Sequence, residues 1–148
     1  MSGVRRAFLD TNVVVYLLSG DRAKAERAER LIAAGGVVSV QVLNEFVAVA
    51  RRKARLAWPD IRDVLTAVRA TCAVAALTAE VHERALAVAE ATNLHIYDAT
   101  IIAAAAVNRC AVVYSEDLGH NQTIDGVRIT NPFQRLFRSR GIRLWPHG

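Results

Sequence analysis

Lysine is almost missing from this 148-residue chain: 17 of its 19 cationic residues are arginine, and the exceptions are Lys24 and Lys53. Neither follows a late strand-like run, which argues against a phosphoacceptor signalling domain, since that class needs a lysine there. Cysteine is as scarce. Cys72 and Cys110 lie in apolar surroundings without metal-ligand spacing, so they read as small buried side chains and exclude a disulfide scaffold. His82, His95, His120 and His147 show no paired metal spacing, and His82-Glu83 lacks the second histidine of a zinc-protease helix. Aromatic residues make up only 6%, and the 53% hydrophobic content rests mostly on Ala and Val, enough for one well-covered core. A long hydrophobic run is lacking too. The longest apolar stretch, residues 101–107, falls far below the roughly 20 residues of a membrane span. Asp10 interrupts the only early apolar region, which excludes a signal peptide. With no repeat, low-complexity tract or Pro/Gly/Ser linker, these absences point to a cytoplasmic protein with a single domain over residues 1–148.

What is present is an alternation of short β-like runs with longer helical patterns. Residues 4–9 read as a strand that turns at Asp10-Thr11-Asn12 into a short helix through Leu18. Asp21 caps a helix over residues 22–34, apolar at Ala25, Ala28, Leu31 and Ile32, that stops at Gly35-Gly36. Val37-Val38 is a brief strand, and Ser39 caps a helix to about Arg52. Pro59 suits the first turn of another helix ending near Ala70. Residues 73–77 form a short strand, Thr78 caps a helix to about Thr92, and Asp98 caps the next, to Asn108. Residues 111–114 are the clearest buried strand, Val127-Arg128-Ile129 reads as the last, and Asn131-Pro132 opens a short terminal helix. Such alternation predicts an α/β fold with a central, mainly parallel sheet flanked by helices.

Four carboxylates stand in this pattern where apolar side chains are the rule. Asp10 follows Ala7-Phe8-Leu9, Glu45 lies inside Val40-Gln41-Val42-Leu43-Asn44-Glu45-Phe46-Val47, Asp98 precedes Ala99-Thr100-Ile101-Ile102, and Asp117 closes Ala111-Val112-Val113-Tyr114-Ser115-Glu116. Asp10 and Asp117 fall just past the carboxyl ends of strands, where open parallel sheets gather ligands. Plainer explanations exist for three of them: Asp10 and Asp98 as helix caps, Asp117 as a turn residue. Glu45 resists one. On a helix it shares a stripe with Val38, Val42 and Val49 and neighbours Phe46, so no rotation gives it a wholly polar face, and an arginine from elsewhere would have to satisfy it. The other acids, such as Asp21, Glu26, Glu29, Asp60, Asp63, Glu80, Glu83 and Glu90, sit on polar helical faces or in first turns, and Asp125 precedes Gly126 as a turn.

One shared site is more economical than four separate accounts. At about 4 Å and an effective dielectric of roughly 20, each pair of ionised carboxylates repels by around 4 kcal/mol, so four converging acids call for a cation. All-oxygen ligation suits Mg²⁺ or Mn²⁺ rather than zinc. With those four acids set against a cation, the remaining ten face 19 basic residues, and the surplus of nine positive charges favours a polyanionic partner. A phosphatase of the haloacid dehalogenase type would need an Asp-x-Asp after the first strand, but Asn12 holds the second position.

In order and spacing, Phe8-Leu9-Asp10-Thr11-Asn12-Val13-Val14, Asn44-Glu45-Phe46, Tyr97-Asp98-Ala99 and Tyr114-Ser115-Glu116-Asp117-Leu118 resemble the motifs of PIN-domain ribonucleases, and among them the VapC-type toxins of bacterial toxin–antitoxin pairs. The resemblance runs from Ala7 to about Pro132; each motif is short, and the ordered set is what carries it. It implies a PIN-like three-layer fold and makes Asp10, Glu45, Asp98 and Asp117 the catalytic, metal-binding acids. Thr11, Asn12 and Ser115 then match outer residues that orient carboxylates or hold water, with Glu116 as a further outer candidate. One departure is Asn121 in His120-Asn121-Gln122, where relatives usually show glycine; asparagine tolerates left-handed backbone better than most residues.

The implied activity is endonucleolytic cleavage of RNA by in-line displacement, leaving 5′-phosphate and 3′-hydroxyl ends, with Mg²⁺ or Mn²⁺ as cofactor and no protein nucleophile. The implied partners are an RNA substrate, a second copy of the chain in a homodimer, and a VapB-like antitoxin that blocks the acidic pocket. Arg51, Arg52, Lys53 and Arg55 follow the Glu45 helix and are candidates to track RNA, with Arg135, Arg138, Arg140 and Arg143 as a second patch. Trp58 and Trp145 are candidate base-stacking residues, with core packing the preferred role for Trp58. The rival outside enzymology is a PIN domain with little turnover that binds RNA or sequesters an antitoxin.

Overall fold

The computed structural model describes residues 6–134. Six strands form one sheet: β1 (Arg6–Leu9), β2 (Gly36–Ser39), β3 (Cys72–Ala75), β4 (Cys110–Tyr114), β5 (Thr123–Ile124) and β6 (Val127–Thr130). Their order is β3-β2-β1-β4-β6-β5, with every neighbouring pair parallel except β5–β6. Among the described residues six helices flank it: α1 (Thr11–Val15), continued by a 3₁₀ turn (Tyr16–Leu18), α2 (Arg22–Ala33), α3 (Val40–Arg52), α4 (Trp58–Thr71), α5 (Ala79–Thr92) and α6 (Ile96–Val107). The α/β expectation holds, with a mixed rather than wholly parallel sheet.

Capping chemistry fixes most helix starts. The Asp21 carboxylate accepts from the backbone N–H groups of Ala23 and Lys24, Ser39 Oγ from Val42 and Thr78 Oγ1 from Val81. Pro59 lies in the first turn of α4, as its missing N–H allows. Asp98 does not cap its helix. His95 Nδ1 accepts from the Tyr97 N–H, so α6 begins three residues earlier and Asp98 sits inside its first turn. Strand β5 is the element the sequence hid, being two residues long; the turn at Asp125-Gly126 joins it to β6. Asn131 to Phe133 turn away from β6, and the terminal helix expected there lies outside the described residues beyond Gln134.

Two glycines are dictated by geometry. Gly35 ends α2 with φ of +84°, and a Cβ on Gly36 would stand 2.7 Å from the Ala7 carbonyl oxygen, so only glycine lets β2 approach β1 here. The apolar run of residues 101–107 belongs to α6, buried continuously from Ala99 to Ala105 and packed against α5, β2, β4 and β6. A helix apolar all round belongs in a core, and alanine lets it approach its neighbours closely. No helix among the described residues is long and apolar enough to cross a membrane. Both cysteines are buried and unpaired, and burial raises both thiols above their ordinary pKa.

The sheet's winding locates the site. From β1 the chain adds β2 and β3 on one side, then crosses to β4 and β6 on the other. The carboxyl ends of β1 and β4 therefore flank the reversal of strand order, where an open α/β sheet leaves its crevice. Asp10 follows β1 and Ser115-Glu116-Asp117 follows β4.

Candidate active site

Backbone pairing brings these two loops together. In the parallel register Leu9 lies beside Tyr114, and the Asp10 N–H donates to the Tyr114 carbonyl at 3.0 Å. The Ser115 N–H donates to Thr130 at 3.0 Å, tying the same loop to β6. Side chains complete the join. Ser115, fully buried, donates through Oγ to Asp10 Oδ2 at 2.7 Å and accepts from the Asp117 N–H at 3.2 Å. Asn12 faces the loop with both ends of its amide: Nδ2 donates to Asp117 Oδ2 at 3.1 Å and Ser115 Oγ at 3.4 Å, while Oδ1 accepts from the Glu116 N–H at 3.2 Å. Ser115 and Asn12 thus order the acids on both sides of them.

Asp10 is 7% exposed, and its backbone neighbour Thr11 donates to Oδ1 at 2.7 Å. Burial pushes its carboxyl up to about 6; the hydrogen bonds from Ser115 and Thr11 oppose that rise, and the charges of Glu45 and Asp117 add to it. Glu45 and Asp117 are therefore both within electrostatic reach of Asp10. Asp117 itself is exposed to solvent.

Glu45 is half-buried, and among the described residues no arginine pairs with it. Thr11 Oγ1 donates to its Oε1 at 2.5 Å, and Gln41 Nε2, one helical turn earlier, reaches its Oε2 at 3.4 Å. The expected apolar enclosure is thereby corrected: Val42, Phe46 and Ala50 take the buried face of α3, and Glu45 lies on the rim of the opposite one. Gln41 Nε2 also approaches the Tyr97 carbonyl at 3.3 Å, so one amide links the start of α6 to Glu45. Asp98, half-buried in that first turn, makes no side-chain hydrogen bond among the described residues.

Glu116 is drawn away from the other acids. It accepts a short hydrogen bond from the Tyr16 hydroxyl and pairs with Lys24 Nζ at 3.5 Å, while Lys24 also donates to Tyr16 at 2.8 Å. Burial, then the Glu116 carboxylate, raises the Tyr16 phenol above its ordinary range. Tyr16 and Lys24 had no sequence signal, because their partner lies 92 to 100 residues away. Gln41 had one in hindsight, its place four residues before an acid.

Among the described residues no group of three or more His, Cys, Asp or Glu is disposed to hold a metal ion, and hydroxyl and amide donors engage Asp10, Glu45 and Asp117. The donor chemistry nonetheless fits an oxygen-preferring divalent cation: carboxylates, a serine and a threonine hydroxyl, and an asparagine amide, around a buried Asp10 whose charge is disfavoured without a counter-ion. The loop departure is accommodated, since Asn121 takes φ of 71° and its Oδ1 accepts from Arg128 at 3.0 Å. Arg51, Arg52, Lys53 and Arg55 are exposed at the end of α3. Trp58 is exposed as well, at 53%, so the expectation that it packs in the core is wrong. Arg135, Arg138, Arg140, Arg143 and Trp145 lie outside the described residues.

The strand order, the switch-point acids and the ordered motifs define a class, and comparison with known families agrees: the PIN domain profile matches residues 7–124, and the chain belongs to the PIN-domain family. Its structural neighbours are toxins of toxin–antitoxin pairs. A toxin–antitoxin complex from Klebsiella pneumoniae superposes with a TM-score of 0.66 at 21% identity, covering 85% of this chain and 97% of that one. DNA-bound VapBC from Salmonella typhimurium gives 0.65 at 20%, covering 87% and 99%. Mycobacterium tuberculosis VapC20, a toxin that cleaves the sarcin-ricin loop, gives 0.56 at 22%, covering 75% and 89%. At these identities the likeness is one of fold. No curated protein sequence matches the chain.

Proposed function

We propose that this chain, over residues 1–148, is a metal-dependent endoribonuclease of the cytoplasm and the toxin of a VapBC-type pair. The observation that carries the proposal is Asp10: buried at the switch point, held by Ser115, and under repulsion from Glu45 and Asp117. A fold keeps such a carboxylate at a cost unless a cation uses it. Asp10, Glu45, Asp98 and Asp117 would hold Mg²⁺ or Mn²⁺. Such an ion, when bound, supplies Lewis-acid activation of a scissile phosphate and of the attacking water. The chain's own part is positioning. Ser115 fixes the rotation of Asp10, Asn12 holds Asp117 against the loop, and Thr11 with Gln41 holds Glu45. Fold likeness to toxin–antitoxin complexes supports a VapB-like antitoxin as partner; the homodimer is part of the proposal on the resemblance of the motifs alone.

The second reading, a catalytically weak PIN domain that binds RNA or sequesters an antitoxin, has one observation in its favour: Asp10, Glu45 and Asp117 are engaged by neutral donors, and among the described residues no three acids are gathered in one group. Incubating the purified protein with pooled tRNA and rRNA in Mg²⁺ or Mn²⁺, beside EDTA and Asp10→Asn controls, separates the two. Discrete metal-dependent products that vanish with Asp10→Asn are expected. RNA left intact in every lane transfers the assignment to the second reading.

A further inference from the structure

Helix α3 carries Glu45 near its middle and ends in a basic corner. At 100° per residue, its solvent-facing residues Val40, Asn44, Ala48, Arg51 and Arg52 fall in one sector, with Gln41 and Glu45 toward one edge of it. Arg52, seven residues past Glu45, returns to nearly the same angle about 10 Å along the axis. Glu45 is the only acid of this helix, and the small Ala48 leaves the space between acid and arginines open. The exposed face therefore forms a short track from the candidate active site to Arg51 and Arg52.

At its far end stands Trp58, opening α4. An indole 53% exposed forgoes much of the burial that usually holds a tryptophan. The Arg51 guanidinium lies 4.6 Å from its ring centroid, and Arg51 Nη1 is itself fixed by the Leu56 carbonyl at 3.0 Å. Arg52 ends α3, and Lys53 and Arg55 lie in the short loop that leads to Trp58; all three are exposed, and neither ion pair among the described residues engages them. The acids that follow, Asp60 and Asp63, belong to α4.

A flat aromatic braced by a cation and preceded by exposed cations has the chemistry of a stacking platform: the ring takes a base and the cations take the adjoining phosphates. We infer that Trp58, with Arg51 beneath it and Arg52, Lys53 and Arg55 before it in the chain, binds a base of single-stranded RNA, in a strand that runs along α3 to the acids at Glu45. Duplex RNA is a poor ligand because its bases are already stacked. The inference rests on the ribonuclease reading for the course of the strand, and its test needs no cleavage.

The chain has two tryptophans, so Trp145→Phe leaves Trp58 as the sole indole reporter. In that background, with Asp10→Asn and EDTA to prevent turnover, a mixed-sequence single-stranded 12-mer RNA is expected to quench the indole fluorescence. A duplex of equal length should quench it far less. Anisotropy with the same labelled 12-mer should show Trp58→Ala weakening binding about tenfold and Trp58→Phe largely restoring it. Unchanged affinity in Trp58→Ala, equal quenching by duplex, or quenching by a protein partner but not by RNA would each overturn the platform. Catalysis fails or stands separately: wild-type protein that cleaves nothing while Trp58 is quenched removes the nuclease and keeps the platform, and the reverse result does the opposite.

Discussion

The four acids come from two kinds of element, and the two kinds are held differently. Asp10 and Asp117 follow adjacent parallel strands, so a backbone ladder sets their spacing before any side chain acts, and Ser115 and Asn12 lock the result. Glu45 and Asp98 come from helices, and what joins their elements at this edge is one glutamine reaching both Glu45 and the Tyr97 carbonyl at 3.3 to 3.4 Å. Strand-borne acids are thus positioned by cooperative hydrogen bonding, and helix-borne acids by packing and a single long amide contact. The first pair resists change until its serine is lost; the second is open to tuning.

Breaking the strand-borne pair at its centre should give the largest effect. Asp10→Asn is expected to abolish cleavage and yet to raise the Tm of the metal-free protein at pH 7. The folded carboxyl titrates near 6 against an ordinary 3.8, so the unfolded chain ionises first as pH rises and the metal-free fold loses stability between about pH 4 and 6. That loss amounts to about 3 kcal/mol at most for a shift of about two units. A pH series of thermal melts checks it: the downward slope should be present in wild type, be relieved by added Mn²⁺, and be absent in Asp10→Asn. An Asp10→Asn protein less stable than wild type at pH 7 would contradict the burial argument.

Ser115→Ala should come next. It leaves the buried Asp10 Oδ2 without its donor and the part-buried Asp117 N–H without its acceptor. A loss of about 1 to 3 kcal/mol in denaturant melts is expected. In steady-state cleavage assays kcat/KM should fall about 10- to 100-fold. Gln41→Ala, on the helix-borne side, should have the smallest effect: stability changes by under about 1 kcal/mol, as suits a half-exposed group, while cleavage falls several-fold. If Gln41→Ala cost as much stability as Ser115→Ala, the contrast between rigid strand ends and tunable helices would be lost.

Several features were legible in the chain because they are local. Caps at Asp21, Ser39 and Thr78, the proline opening α4 and the glycines after α2 each act within a few residues of themselves. The acids after β1 and β4 could be placed for the same reason, since a strand end in a parallel sheet is a ligand position whatever surrounds it. Mistakes arose where a neighbour distant in sequence decides. Helical phase alone encloses Glu45 among apolar neighbours, because it does not say which sector of α3 is buried. Trp58 looked like core because nothing in its neighbourhood shows that Arg51 folds back over it. His95 rather than Asp98 capped α6, since either side chain can accept from a helix N-terminus and local sequence does not rank them.

The sequence by itself determined the alternation of strands and helices, the surplus of arginine and the identity of the oxygen donors, all of which depend on residue type and short spacing. Only the tertiary structure decided that β1 and β4 lie side by side at the reversal of strand order, that Ser115 touches Asp10 across 105 positions, and that Lys24 and Tyr16 draw Glu116 aside. The physical reason is the same each time: these contacts close long loops of chain, and their energy is realised only when the whole sheet has formed.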